Sequence, residues 1–73
     1  MYQRIRDLRE DSDMTQKSVA DYLQCTQACY SYYESGKHDV PSDVLIQLAR
    51  LYHTSVDYLV GLTEERKPYP QKK

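Results

Sequence analysis

Two Thr-Gln pairs, Thr15-Gln16 and Thr26-Gln27, stand eleven residues apart, and helical apolar spacing follows each of them. A threonine in that place caps a helix, and the glutamine after it carries an amide that donates and accepts at once. After Gln27 come Ala28 and Ser31, and no charged residue appears until Glu34. Such a segment suits recognition through hydrogen bonds and small apolar contacts. A catalytic reading has little support. No carboxylate pair, nucleophile-base pair or Gly-rich phosphate cradle is recognisable, and the chain has only two glycines. Cys25 and Cys29 are four residues apart, which suits neither a disulfide framework nor a four-ligand zinc site, so they are read as reduced thiols. His38 and His53 have no third ligand within reach by sequence. No metal, cofactor or small-molecule ligand is expected, and no enzyme.

The elements that must position these residues are helical almost throughout. Ile5 and Leu8 mark one face of a first helix over about residues 2 to 11, ended by Asp11-Ser12-Asp13, after which Met14 returns to the core. Thr15 caps a second helix of about two turns, with Val19, Ala20 and Leu23 on one stripe. Only Gln24 and Cys25 separate it from Thr26, which caps a third helix over about residues 27 to 35. Tyr30 and Tyr33 lie on its inner face, and Gly36 stands at the expected left-handed C-cap. A fourth helix opens after Pro41-Ser42 and turns Val44, Leu45, Leu48, Ala49 and Tyr52 inward. Ser55 caps a short fifth helix with Val56, Leu59 and Val60, closed by Gly61. These elements predict an all-α fold, a compact bundle of five short helices, over residues 1 to 63. The segment from 64 to 73 turns polar and Pro-containing and is expected to be a flexible tail.

At 73 residues the chain is expected to form one domain, near the lower size at which a core holds without metal or disulfides. Phe and Trp are absent and Tyr occurs eight times, so aromatic packing falls to a side chain whose hydroxyl needs a partner or water. No apolar run approaches the ~20 residues of a membrane span, and "MYQRIRDLRED" lacks the apolar stretch of a signal peptide, so a cytoplasmic location is expected. Net charge is −1; without residues 64 to 73, six basic residues stand against nine acidic ones, or −3. This is not the basic footprint usual for a nucleic-acid binder.

Two short helices joined by a tight connection nevertheless form the helix-turn-helix layout, in which the first helix crosses the phosphate backbone and the second enters the major groove. Ala20 fits it, because a small side chain lets the two helices approach closely. Gln27, Ala28 and Ser31 are then placed to meet base edges, while the helix amino terminus attracts phosphate.

The stretch from Arg4 to about Tyr69 resembles the phage-repressor and Cro-like helix-turn-helix family of XRE type, with a lambda-repressor-like fold. The resemblance is carried, in order, by "RIRDLRED", "MTQKSVADYL", "CYSYYESGK", "PSDVLIQLARLY" and "SVDYLVGLTE". The ending with "KPYP" looks like short single-domain regulators of bacteria and their prophages. The resemblance implies double-stranded DNA as partner. It places Thr15 and Gln16 at a phosphate, and Thr26, Gln27, Ala28 and Tyr32 toward the bases or the groove wall. Ser35, Lys37 and His38 match a phosphate-contacting loop, and Arg9 with Glu34 matches an ion pair between the first and third helices.

The sequence also departs from that pattern. Arg or Gln is usual where Tyr32 stands, and a polar residue is frequent at Ala28, so Gln27 becomes the main base reader. Its amide can pair with adenine N6 and N7, whereas Ala28 can only touch a thymine methyl. Gln24 occupies a place where many such turns carry Gly. Tyr30 and Tyr33 as stacking platforms for single strands are outweighed by core packing; Tyr32 is the tyrosine expected at the surface, either at the DNA or as a plain surface aromatic. Cys25 is expected to fill the apolar site at the turn. Cys29, in a first helical turn that lowers thiol pKa values, is either a small packing residue or a redox sensor.

Two classes of function follow. One is a sequence-specific regulator of transcription, most simply a repressor, acting as a homodimer on a two-fold symmetric operator and dimerising through Tyr58, Val60 and Leu62. The other is a protein-interaction module on the same fold, an antitoxin or regulatory partner with weak DNA binding. Acidic charge and the Ala28 and Tyr32 departures favour the second, and Gln16, Thr26, Gln27 and Lys37 the first.

Overall fold

A computed structural model describes residues 2–67 of the chain. It is all-helical over those residues: α1 spans Gln3–Asp11, α2 Gln16–Leu23, α3 Gln27–Ser35, α4 Ser42–Leu51 and α5 Val56–Leu59. The expected five-helix bundle is borne out. Every helix contributes to one core, made of Ile5 and Leu8, Val19, Ala20 and Leu23, Tyr30, Leu45, Leu48 and Ala49, and Leu59, with Tyr52 just past α4. Helices of four to ten residues are too short to persist alone in water, so burial of these stripes is what holds them.

Three of the helices, α2, α3 and α5, are capped by a side chain at the start, and backbone bonds close the ends. The Thr15 Oγ1 accepts the Ser18 N–H while the Ser18 Oγ accepts the Thr15 N–H, both at 3.1 Å, a reciprocal cap completed by serine. Thr26 Oγ1 accepts from the Cys29 N–H at 3.1 Å, and Ser55 Oγ from the Tyr58 N–H at 3.0 Å. Pro41 stands at the cap position of α4, with Ser42 already inside the helix.

At the other ends, α1, α2, α4 and α5 close alike. The amide after a left-handed residue bonds back five positions: Met14 to the Arg9 carbonyl at 3.1 Å, Cys25 to Ala20 at 3.0 Å, Thr54 to Ala49 at 2.9 Å and Leu62 to Asp57 at 2.8 Å. Gly61 is the left-handed residue after α5, but Asp13, Gln24 and His53 fill that role after α1, α2 and α4, at φ 56°, 60° and 53°. Gln24 therefore takes the backbone conformation that favours Gly, and the tight turn between α2 and α3 forms without one.

Tyr30 is fully buried and Tyr52 nearly so, and neither hydroxyl has an aligned hydrogen-bond partner among the described residues. Burial pushes Tyr52 up to about 12, and it pushes Tyr30 up further, with the neighbouring Glu34 adding to the effect. Both rings remain neutral packing groups. Among the described residues no helix is long and apolar enough to cross a membrane.

A left-handed residue with a Cβ is strained by about 1–2 kcal/mol, more than the roughly 0.5–1 kcal/mol of extra chain entropy that glycine loses on folding. Gln24→Gly is therefore expected to raise the melting temperature and Gln24→Val, with a branched Cβ, to lower it, as read by thermal unfolding followed by circular dichroism. Equal melting points for both would show that the turn is unstrained.

Candidate nucleic-acid interface

The orientation of α3 follows from its single charge. Glu34 is 8 % exposed and takes the Arg9 Nε at 2.6 Å on one oxygen and the Arg9 Nη2 at 3.3 Å on the other. Gln16, the first residue of α2, donates its Nε2 to the same carboxylate at 3.1 Å. Arg9 also donates through Nη1 to the Met14 carbonyl at 3.0 Å. This one carboxylate thus gathers α1, the start of α2 and the last turn of α3. Burial raises its pKa most, but the hydrogen bonds from Arg9 and Gln16 and the nearby Tyr30 hydroxyl together outweigh that and hold it below its ordinary 4.5. The Arg9 guanidinium is correspondingly raised by its bond to Glu34, against the opposing effect of burial.

With Glu34 and Tyr30 turned inward, the residues left on the outside of α3 are uncharged. Gln27, Ala28, Tyr32 and Ser35 are exposed and Ser31 is half-buried. Beside Ser31 and Ser35 a shallow groove of about 290 Å³, lined by polar residues, runs toward Arg6 and Gln3 of α1 and the half-buried Gln16. One amide hydrogen of Gln16 is spent on Glu34, leaving its second for another acceptor. Thr15 and Thr26 are exposed, but their hydroxyl oxygens serve as caps.

Past the other edge of α3, three of the named residues form one cluster. The His38 ring lies 4.9 Å from that of Tyr32, tilted by 53°, and the Lys37 Nζ is 5.2 Å from the Tyr32 ring centre. The His38 N–H donates to the Tyr32 carbonyl at 3.2 Å. Ser35 stays within this turn: its Oγ donates to the Tyr32 carbonyl at 3.3 Å and accepts from the Lys37 N–H at 3.4 Å.

Cys25 and Cys29 are free, half-buried thiols. Cys25 packs on the core, and burial first, then Cys29, pushes its thiol up, which disfavours the reactive thiolate. Tyr33, beside Cys29, is held up to about 12, chiefly by its hydrogen bond to that thiol. No three metal-binding side chains come together among the described residues.

Of the residues named for dimerisation, Tyr58 and Val60 are half-buried and Leu62 is 77 % exposed. Arg4 covers Tyr58, its guanidinium 4.1 Å from the ring centre. The role of Arg4 escapes sequence reasoning, since its partners are more than fifty residues away and nothing in "RIRDLRED" sets it apart. Its Nη1 donates to the Tyr58 carbonyl at 2.9 Å and the Thr63 carbonyl at 2.5 Å, and its Nη2 lies 3.2 Å from the Glu64 carboxylate. Thr54 Oγ1 donates to the Arg66 carbonyl at 2.6 Å, and the Arg66 guanidinium lies 3.9 Å from Asp11. The start of the polar segment, residues 64–67, is thereby tied to the helices. Residues 68–73, the remainder of the expected tail, lie outside the described residues.

Removing one member of the Arg9–Glu34 pair leaves the other charge buried and unpaired. Arg9→Ala is expected to cost on the order of 3 kcal/mol and lower the melting temperature by more than about 10 °C, while Arg9→Met with Glu34→Leu recovers most of the loss. An unchanged melting point in Arg9→Ala would show that the pair carries no net stabilisation. Because the folded Glu34 pKa lies below its unfolded value, its contribution is complete above pH 4.5 and is lost as pH falls through the folded value. Below pH 4.5 the wild-type melting temperature should therefore fall more steeply than that of Glu34→Gln.

Residues 3–59 match the family model described as a helix-turn-helix domain. The chain is 38% identical over 71 residues to the HTH-type transcriptional regulator YobD of Bacillus subtilis (strain 168), covering 97% of this chain and 63% of YobD. It is 36% identical over 64 residues to ImmR, an HTH-type transcriptional regulator of the same organism, covering 88% of this chain and 50% of ImmR. The crystal structure of a transcriptional regulator from Listeria innocua superposes with a TM-score of 0.78 at 27% identity, over 89% of this chain and 62% of that one. This chain thus spans between half and two thirds of the length of these relatives. With its two capped helices, left-handed turn and matched residues, it belongs to the helix-turn-helix domain family.

Proposed function

We propose that this chain binds double-stranded DNA sequence-specifically and regulates transcription, as a repressor, with α3 in the major groove. The observation that carries this reading is the uncharged outer face of α3, which the buried Glu34 leaves free to meet base edges. Gln27 is the principal base reader, offering an amide to adenine N6 and N7, with Ser31 beside it. The α2 start, with Thr15 and Gln16, and the 35–38 turn, with Ser35, Lys37 and His38, flank that face as phosphate contacts; Thr26 stands at the mouth of α3, where the helix dipole favours phosphate. A homodimer on a two-fold symmetric operator supplies the contacts that one small module lacks, and half-sites about one helical turn apart match the motif. Val60 and the exposed Leu62, next to Tyr58, supply the apolar surface for that contact.

A second reading, a protein-interaction module on the same fold, is favoured by the net charge of −1 and by the apolar Ala28 and Tyr32 on the outer face of α3.

Selection of random duplex DNA by the purified protein, followed by affinity across a salt series, separates the two. The regulator reading expects an enriched two-fold symmetric site whose affinity falls steeply with salt. It also expects Gln27→Ala to lose roughly 1–3 kcal/mol of discrimination at one base pair of the half-site. No enriched site, with only weak binding at low salt, favours the protein partner. Leu62→Glu should weaken self-association in sedimentation while leaving the helical circular-dichroism spectrum unchanged, and unchanged association would remove Leu62 from the interface.

A further inference from the structure

We propose that Tyr32 is a specificity residue that reads the C5-methyl group of a thymine in the major groove, with Lys37 and His38 holding its ring in place. The inference rests on the DNA-binding reading above and names the chemistry at one position of that surface.

Of the three tyrosines in α3, Tyr30 is fully buried, Tyr33 is half-buried against Cys29 and the core, and Tyr32 is 37 % exposed. An exposed tyrosine would ordinarily move freely, yet this one is braced. Lys37 lies within the ~6 Å at which a cation is attracted to an aromatic face, and the tilted His38 ring packs against it. The loop carrying both braces is itself fastened, since the His38 and Ser35 hydrogen bonds converge on the Tyr32 carbonyl. A side chain ordered in advance loses less rotamer freedom on binding than a free one.

What the braced ring offers follows from its neighbour. Ala28 lies four residues earlier, on the same outer stripe of α3, and both are exposed. The Ala28 methyl and the Tyr32 ring, one turn apart on that stripe, are the apolar groups of a helix face that carries no charge. In the major groove the apolar feature of a base pair is the thymine C5-methyl, which separates T·A from C·G without any hydrogen bond. Stacking on a single-stranded base is a poorer fit, because Lys37 and His38 already occupy part of the ring surface. Gln27 and the pair Ala28 and Tyr32 then divide the work, hydrogen bonding to adenine on one strand and apolar contact to thymine methyls.

Uracil for thymine removes only that methyl and leaves base pairing intact, so the test uses the duplex selected above with each thymine replaced in turn. Burying one methyl is worth about fourfold in affinity. At one position of each half-site, uracil should weaken binding of the wild-type chain and of Tyr32→Phe about fourfold, while Tyr32→Ala should bind the thymine and uracil duplexes equally. Uracil tolerated at every position, or the same penalty persisting in Tyr32→Ala, overturns the proposal and leaves sequence-specific DNA binding standing. A penalty in wild type that disappears in Tyr32→Phe overturns it too, since the phenol hydroxyl would then be the contact. Failure to select any site sinks both readings together.

Discussion

The architecture depends on one buried carboxylate. Glu34 is the only charge in α3, and two side chains from two other helices converge on it, Arg9 from α1 and Gln16 from α2, with the Tyr30 hydroxyl nearby. An ion in that position is costly to bury and repays the cost only when its hydrogen bonds are met. Meeting them, together with burying the Tyr30 ring, fits only one rotation of α3 about its own axis. A rotation by one residue would pull Glu34 off Arg9 and carry Ala28 and Tyr32 toward the core, so the same contact that stabilises the bundle also decides which side chains face a partner.

Around that anchor the bundle is assembled from pieces too short to be helices by themselves. Side-chain caps at Thr15, Thr26 and Ser55 begin three of them, and left-handed residues end them. In three of those endings the left-handed residue carries a side chain, and the strain is borne by burial of the neighbouring apolar residues, with Met14 and Cys25 packing on the core just after Asp13 and Gln24. The absence of Phe and Trp has a related consequence. Tyr30 and Tyr52 fill the centre with rings whose hydroxyls are removed from water, so the core is packed more completely than it is hydrogen-bonded.

The acidic balance of the chain and the proposed DNA-facing surface are reconciled by where the charges go. Lys17 pairs with Asp21 and Arg6 with Glu10 on exposed helix faces, Arg4 and Arg66 are engaged by Glu64 and Asp11, and Glu34 is neutralised inside. Exposed pairs of this kind are weak and yield readily to a polyanion. The outer face of α3 is kept clear of acidic groups, which matters more for approach to phosphate than the net charge does.

The helices and their order were legible in the sequence because capping and helical periodicity are local: Thr15, Thr26, Pro41-Ser42 and Ser55 announce the starts, and Val19, Leu23, Leu45 and Leu48 mark the stripes within about eight residues of Thr15 and Pro41. The choice of Gly36 and Gly61 as left-handed ends was equally local, whereas Asp13 and His53 were weaker signals, since Asp and His tolerate positive φ more readily than other side chains but do not require it. The partnership of Arg9 with Glu34 was visible only through resemblance to a family, being twenty-five residues apart in the chain. Nothing local disclosed that Gln16 would join it, that Arg4 would gather Tyr58, Thr63 and Glu64, or that Lys37 and His38 would close on Tyr32. Sequence by itself thus determined which segments are helical and which faces are apolar, because those depend on neighbours along the chain; only the tertiary structure decided which polar side chains are spent on one another and which remain for a partner, because those pairings exist only once separate helices have been brought together.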